Sequence, residues 1–296
     1  MEMYANLHTH STHSDGVYSP EEMVRVAKEE GFSAIAISDH DAATAFPALK
    51  AACEKEGMRT IFAVEFSVGQ PYPCHLVAFD FDPEYPPMKK YLEDMGHRQT
   101  DNTKKCFEEG VATGNITGIT WEEVCEYNKG IIWLCNNHVF RAMQAKGLVK
   151  EDEYMAWFKK NFSKQRGKYP PVIPFMAPAE LIAMVKAAGG FVVVAHPTDE
   201  QMDRIDEYIA IGIEGIEVWH SDLSPAQRER AFKIAMEKDL YISGGSDHSG
   251  LLGGLYSSYP DEESLKASPH YIPERSTGVP KEYFEELVSR KKNRGK

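Results

Sequence analysis

Short apolar runs with strand character recur through both outer thirds of this chain, and each is followed by a segment of helical periodicity. The runs are MYANLH, SAIAIS, RTIFAVEFSV and CHLVAFDF in the first third, and FVVVAH, GIEVWH and YISGGSD in the last. Between them lie SPEEMVRVAKEEG, FPALKAACEKEG, PAELIAMVKAAGG, MDRIDEYIAIG and SPAQRERAFKIAMEKD, whose patterning reads as helix. Strands alternating with helices of this length need crossover connections, which makes the strands parallel and the fold α/β, either a barrel or a doubly wound sheet. Local signals agree with the pattern. Ser19, Pro20 and Glu22 form a capping box ahead of the first helix, and Gly31 stops it.

After Pro87 the rhythm changes. Helical segments are expected over 88–110, 121–127, 139–146 and 152–162, with little strand signal among them. The chain of 296 residues is long enough for one large domain carrying an insert. We expect a first α/β part over 1–95, a helical insert over 96–175 that reads the substrate, and a second α/β part over 176–296. The tail SRKKNRGK is expected to be disordered.

Composition excludes several function classes. No run of eighteen or more apolar residues appears, and the start MEMYANLHTH lacks the regions of a signal peptide, so the expected compartment is the cytoplasm, with no membrane partner. The five cysteines, Cys53, Cys74, Cys106, Cys125 and Cys135, are scattered without a CxxC pair and read as free thiols. A formal net charge of −12 disfavours binding to extended duplex nucleic acid. A small anionic substrate remains compatible with it, because bound cations reverse the local field.

Side chains that bind metal collect at the strand ends. His8 and His10 lie two apart on a strand and so point to one face. SAIAISDHD ends in Asp39, His40 and Asp41, and the next runs carry Glu65 and His75. FVVVAHP delivers His196, and YISGGSDHSG delivers Asp247 and His248. Parallel strands closed into a barrel open all their carboxyl ends on one face, where the active sites of such barrels are built. Glu65 sits within an apolar strand, where a carboxylate without a partner would cost several kcal/mol. Near the first pair, Asp15 beside the turn-forming Gly16 is the expected ligand, and His13 is not. The isolated His97, His220 and His270 read as solvated or hydrogen-bonded side chains and are left out of the site.

Taken in order, HTHSTHSDG, SDHD, VEFS, HLVAFDF, AHP and GSD resemble the motifs of the polymerase and histidinol phosphatase (PHP) family of metal-dependent phosphoesterases, over both outer thirds of the chain. The chain looks most like the members whose helical insert accompanies action on nucleotides or short RNA. The resemblance implies a distorted (β/α)7 barrel. It implies His8, His10, Glu65 and Asp247 around a first ion, with Glu65 bridging to a second held also by His75 and His196. Asp15, His40 and a histidine near the last motif would hold a third. The family pattern places that histidine two residues after the aspartate, whereas here His248 follows Asp247 directly. The backbone must then leave strand geometry if both side chains are to enter the site, and Gly244, Gly245 and Gly250 make such a bend inexpensive. Asn6 also stands where the family tends to have an aspartate.

Phosphate hydrolysis accounts for such a cluster. A phosphoester is anionic and repels hydroxide, so two or three divalent ions are expected, with a hydroxide bridging them as nucleophile. Histidine and carboxylate ligands suit manganese, iron or zinc. Asp15, Glu65, His196 and Arg141 are the residues expected to carry catalysis. In NNHVFRAM, His138 and Arg141 lie three apart on one helical face. They resemble the histidine and arginine that approach the substrate phosphate in insert-bearing members, although a first arginine common there is replaced by Asn136. Arg166 and Lys168 flank Gly167 in a run rich in lysine and arginine, and are expected to hold a phosphate. The leading expectation is a phosphoesterase for a small phosphorylated substrate, either a nucleoside monophosphate or 3′,5′-bisphosphate, or a short oligonucleotide end. A small-metabolite phosphatase, such as one for histidinol phosphate, and a non-catalytic metal-binding module are the alternatives.

Overall fold

The computed structural model describes residues 2–163, 173–247 and 277–292. The first helix, α1 (Pro20–Glu29), begins at the expected capping box, with Ser19 accepting from the Glu22 amide and Glu22 accepting from the Ser19 amide. It joins β1 (Ala5–Asn6) to β2 (Ala34–Ile35), and α2 (Phe46–Glu56) joins β2 to β3 (Arg59–Thr60). These three short strands pair in parallel, in the order β1-β2-β3.

A second sheet has the order β4-β5-β6-β7-β8, from β4 (Ala63–Val68), β5 (Cys74–Phe79), β6 (Phe191–Val194), β7 (Gly215–Glu217) and β8 (Tyr241–Ser243). Here the expectation of parallel strands needs correction. β5 runs antiparallel to both β4 and β6, and only β6, β7 and β8 are mutually parallel. The connection from Val68 to Cys74 is too short for a crossover and can only make a hairpin. The run RTIFAVEFSV, expected as one strand, is split between β3 in one sheet and β4 in the other. Ile61 and Phe62 at the break are themselves buried, so the apolar pattern runs through it unmarked.

The two sheets are not closed by continuous pairing among the described residues. They are linked by the isolated bridge of His40 to Glu65 and by single bonds such as Leu7 N–H to the Gly244 carbonyl at 3.1 Å, while Ala5 bridges to Val279, which lies outside both sheets. Gly245 matters here, because a Cβ at that position would lie 2.3 Å from the His8 nitrogen. The sheet core is sealed by α7 (Pro178–Ala187), α8 (Asp199–Asp203), α9 (Ile205–Ala210), α10 (Pro225–Glu237) and a final helix, α11 (Lys281–Ser289). MDRIDEYIAIG, expected as one helix, is the pair α8 and α9, broken at Arg204. The tail is not wholly free either. Arg290 lies over the Phe191 ring at 4.4 Å and Lys292 over Tyr241 at 4.5 Å.

The middle of the chain forms α3 (Pro86–Ala112), α4 (Trp121–Tyr127), α5 (Asn136–Ala145), a 3-10 turn (Glu151–Glu153) and α6 (Tyr154–Asn161). The N-terminal half of α3 packs Met88, Leu92 and Met95 into the sheet core. Its C-terminal half contributes Cys106 and Phe107 to a separate cluster with Ile116, Phe140 and Trp157.

Candidate metal centre

The expected ligands converge at one end of the sheets. His8 and His10 follow β1, His40 follows β2, His196 follows β6 and Asp247 follows β8. β5 runs the other way, so His75, near its start, lies at the end where its neighbours finish. Glu65 sits at the centre, 1% exposed. Its Oε2 lies 3.2 Å from His8 Nε2, 3.3 Å from His10 Nε2 and 3.1 Å from His40 Nδ1, while Oε1 lies 2.9 Å from His75 Nδ1 and 3.1 Å from His196 Nε2. Asp247 Oδ1 reaches His10 Nε2 at 2.9 Å, and Asp15 lies 3.7 Å from His10 and 3.8 Å from His40.

The backbone is bent where the ligands enter. His196 has φ 26° and Asp247 φ 52°, as does the neighbouring Asp41 with φ 46°, all in the left-handed region that costs a non-glycine residue of order 1–3 kcal/mol. The bend foreseen at the last motif is therefore present at Asp247. His248, Arg166 and Lys168 lie outside the described residues.

The donor set fits divalent ions. His8 Nε2, both ring nitrogens of His10, His40 Nδ1 and Glu65 Oε2 are buried and make no hydrogen bond. Leaving so many polar atoms orphaned would be costly, unless they face bound cations, for which His10 would offer one of its two nitrogens. His8 shows how the faces are set. Its Nδ1 is 2.9 Å from Glu217 Oε1, and since a carboxylate only accepts, Nδ1 carries the proton and Nε2 turns its lone pair into the cluster. Without a cation in the cluster, Glu217 and Glu65 outweigh the burial that opposes charge on His8 and raise its pKa well above the ordinary value, so an ion would displace the Nε2 proton. His10 is likewise opposed by burial yet raised to about 9 by Asp15, Asp247 and Glu65. The surrounding imidazoles hold the Glu65 carboxylate well below its usual range despite its burial.

Two residues escaped the sequence reading. Glu217, fully buried at the end of β7, accepts from both His8 and the His196 amide, the latter at 2.8 Å. The argument that singled out Glu65, a carboxylate in an apolar strand, applies equally to GIEVWH and would have found it. His220, set aside as an isolated histidine, is fully buried with its ring 4.9 Å from His8 and 5.1 Å from His196. Its Nδ1 accepts from the Asp222 amide at 3.2 Å, which leaves the proton on Nε2, beside Glu217 Oε2 at 3.8 Å. At that distance Nε2 makes no hydrogen bond, and His220 groups with His8 and Asp247 as a potential ligand set.

The insert residues are placed differently from expectation. His138 is 3% exposed, and both its ring nitrogens are engaged by backbone, Nδ1 by the Cys135 amide at 2.9 Å and Nε2 by the Thr12 carbonyl at 3.0 Å. It has no nitrogen left for a phosphate. Arg141 donates through Nη1 to the Val17 carbonyl and lines a cavity of about 210 Å³ together with Thr12, Gly16, Tyr127, Asn128, Lys129, Ile131 and His138. Trp133, just ahead of α5, stacks against His40 with ring centres 6.1 Å apart.

The family model described as PHP domain matches residues 6–168. The chain belongs to the PHP domain family. Among curated PHP relatives, it is 24% identical over 255 residues to the phosphoribosyl 1,2-cyclic phosphate 1,2-diphosphodiesterase of Eggerthella lenta, covering 85% of this chain and 96% of that one. It is 28% identical over 252 residues to a 5′-3′ exoribonuclease of Haemophilus influenzae, covering 82% and 88%. A solved structure from Bifidobacterium adolescentis, assigned as a metal-dependent phosphoesterase, superposes with a TM-score of 0.70 at 29% identity over 89% of this chain and 94% of that one. The PHP chain described here is a hydrolase of the metal-dependent phosphoesterase class. No helix among its described residues is long and apolar enough to cross a membrane.

Proposed function

We propose that this PHP protein hydrolyses a phosphate ester carried on the ribose of a nucleotide or of a short oligonucleotide end. The observation that carries the reading is the single buried carboxylate of Glu65 with five imidazole nitrogens within 3.3 Å and without hydrogen-bond partners for its Oε2. In this reading the two sheets form one distorted barrel, 96–175 is the substrate-reading insert, and the ions are manganese, iron or zinc. His8, His10, Glu65 and Asp247 hold one ion, Glu65, His75 and His196 a second, and Asp15 with His40 a third. When bound, such ions supply positive charge for the phosphoryl oxygens and a nucleophile at neutral pH.

The protein side chains do the rest. Glu217 fixes the tautomer of His8, and Trp133 stacks on one face of His40. Asp15, with its side chain 38% exposed, faces the approach to the cluster. The guanidinium of Arg141 has further N–H groups beyond the one given to Val17, and with Lys129 it offers positive charge beside the exposed ring of Tyr127 in the neighbouring cavity. Two similar proteins are named for a ribose cyclic phosphate and for RNA, which share a phosphate ester on ribose.

The test is a panel of a nucleoside 3′,5′-bisphosphate, a nucleoside monophosphate, a 5′-phosphorylated trinucleotide and histidinol phosphate. Turnover of the ribose-borne esters is expected to vanish on chelation and to return with a divalent ion. Turnover of histidinol phosphate alone, or undiminished turnover in stripped protein, overturns the reading.

A further inference from the structure

Helix α5 meets the loop that follows β1 through a stripe of side chains, and each is engaged with a backbone carbonyl of that loop. His138 donates to Thr12, Asn137 to Asp15 and Arg141 to Val17, while the thiol of Cys135 at the N-cap points to the Ser14 carbonyl at 3.8 Å. Residues 137, 138 and 141 fall within about a third of a helical turn of one another in projection. The donors are themselves fixed. His138 must carry its proton on Nε2, because Nδ1 accepts from the Cys135 amide. Asn137 is 3% exposed, and its Oδ1 accepts from the Tyr154 hydroxyl of α6 and from Asn136 at 2.8 Å, which leaves Nδ2 for the loop.

The loop is gripped from its other side by the barrel. Asp39 accepts from the Ser11 amide and hydroxyl, both at 2.7 Å, and from the Ser14 hydroxyl at 2.6 Å. Gly16 packs so closely that a Cβ would lie 2.3 Å from the His10 carbonyl oxygen. With its backbone held on both sides, the loop projects the Asp15 carboxylate toward His10 and His40 at 3.7 and 3.8 Å. The separation from His40 exceeds a good hydrogen bond but suits two ligands each about 2.1 Å from a shared ion.

We infer that α5 is a clamp, and that Asn137, His138 and Arg141 are positioning residues that hold Asp15 in place as a ligand of the third ion. The inference rests on the reading of Asp15 as a ligand. Fixing a loop residue costs about 1–2 kcal/mol of backbone entropy, and a clamp that meets this cost during folding spares it at metal binding. The insert therefore serves the metal centre as well as the substrate.

The test measures metal content by mass spectrometry after dialysis against metal-free buffer, for the full chain and for Asn137→Ala, Arg141→Ala and Asp15→Asn. Circular dichroism spectra and melting temperatures are recorded in parallel. Asn137→Ala and Arg141→Ala are expected to lose about one equivalent of metal, the same loss as Asp15→Asn, with the remaining ions retained and the spectrum unchanged. The double variant Asp15→Asn with Asn137→Ala should lose no more than either alone. Arg141→Lys, which keeps a donor, should retain more of that ion than Arg141→Ala. If Asp15→Asn loses an ion while both clamp variants keep full content, the clamp is wrong and the ligand reading stands. Loss of all ions together in the clamp variants also overturns it, since that is collapse of the scaffold. If Asp15→Asn itself keeps every ion, Asp15 is not a ligand and the reading beneath the clamp falls.

Discussion

Glu65 is one carboxylate shared among five histidines, and no neutral side chain can take its place. Replacing it with Gln keeps the volume but removes the charge that, in the proposed reading, draws cations to both of its oxygens. In the stripped protein Glu217 first and Glu65 second raise the His8 pKa against its burial. Glu65→Gln is therefore expected to lose at least one ion and to drop turnover by about 100-fold or more while the far-ultraviolet spectrum stays unchanged. Wild-type kinetics with full metal occupancy would make Glu65 a structural residue. Glu217 is the complementary case. It holds His8 and the His196 backbone from behind, and its contribution is orientation rather than coordination.

At the scale of elements, the contact between α5 and the loop after β1 has a pH signature of its own. Burial pushes the His138 imidazole down to about 4, a shift that the Thr12 carbonyl and Asp15 only partly offset. The unfolded ring titrates near 6.5, about 2.5 units higher. The neutral ring thus contributes stability at pH values above about 6.5, and this contribution is lost as pH falls toward 4. Chelator-treated wild type should lose about 2 kcal/mol more than His138→Gln between pH 7 and pH 4.5, read from urea midpoints at each pH. Other buried groups titrate in both proteins and cancel in the difference. Parallel curves for the two would show that His138 is not held neutral by its burial.

At the scale of the molecule, two apolar clusters share one long helix. α3 is anchored in the sheet core up to Met95 and in the second apolar cluster from Cys106 onward. Phe140, fully buried in the second cluster, packs edge-on against Tyr154 and Trp157 with ring centres 5.1 Å away in both cases. Phe140→Ala is expected to cost about 3–5 kcal/mol. If 96–175 behaves as a unit, the rise in amide exchange should be confined to the second half of α3 and to α4, α5 and α6, leaving β4 to β8 protected. An equal rise in the sheets would mean that the two clusters unfold as one.

The sequence by itself determined what is settled within a few residues of chain. The capping box of α1 depends on Ser19 and Glu22 alone, and the metal-binding side chains announce themselves by residue type at the ends of apolar runs. It also bears the PHP motifs in order, from which the family is legible. The tertiary structure decided everything that needs partners distant in sequence. The hydrophobic pattern of β5 is the same whichever way its neighbours run, so its antiparallel pairing with β6, more than a hundred residues on, could not be read from the run itself. His220 looked solitary because Glu217, His8 and His196 come together around it only in the fold. His138 and Arg141 looked like phosphate ligands because their type and spacing allow it. Both nitrogens of His138 and one N–H of Arg141 are instead taken by backbone groups, and which polar group a side chain meets is fixed by packing.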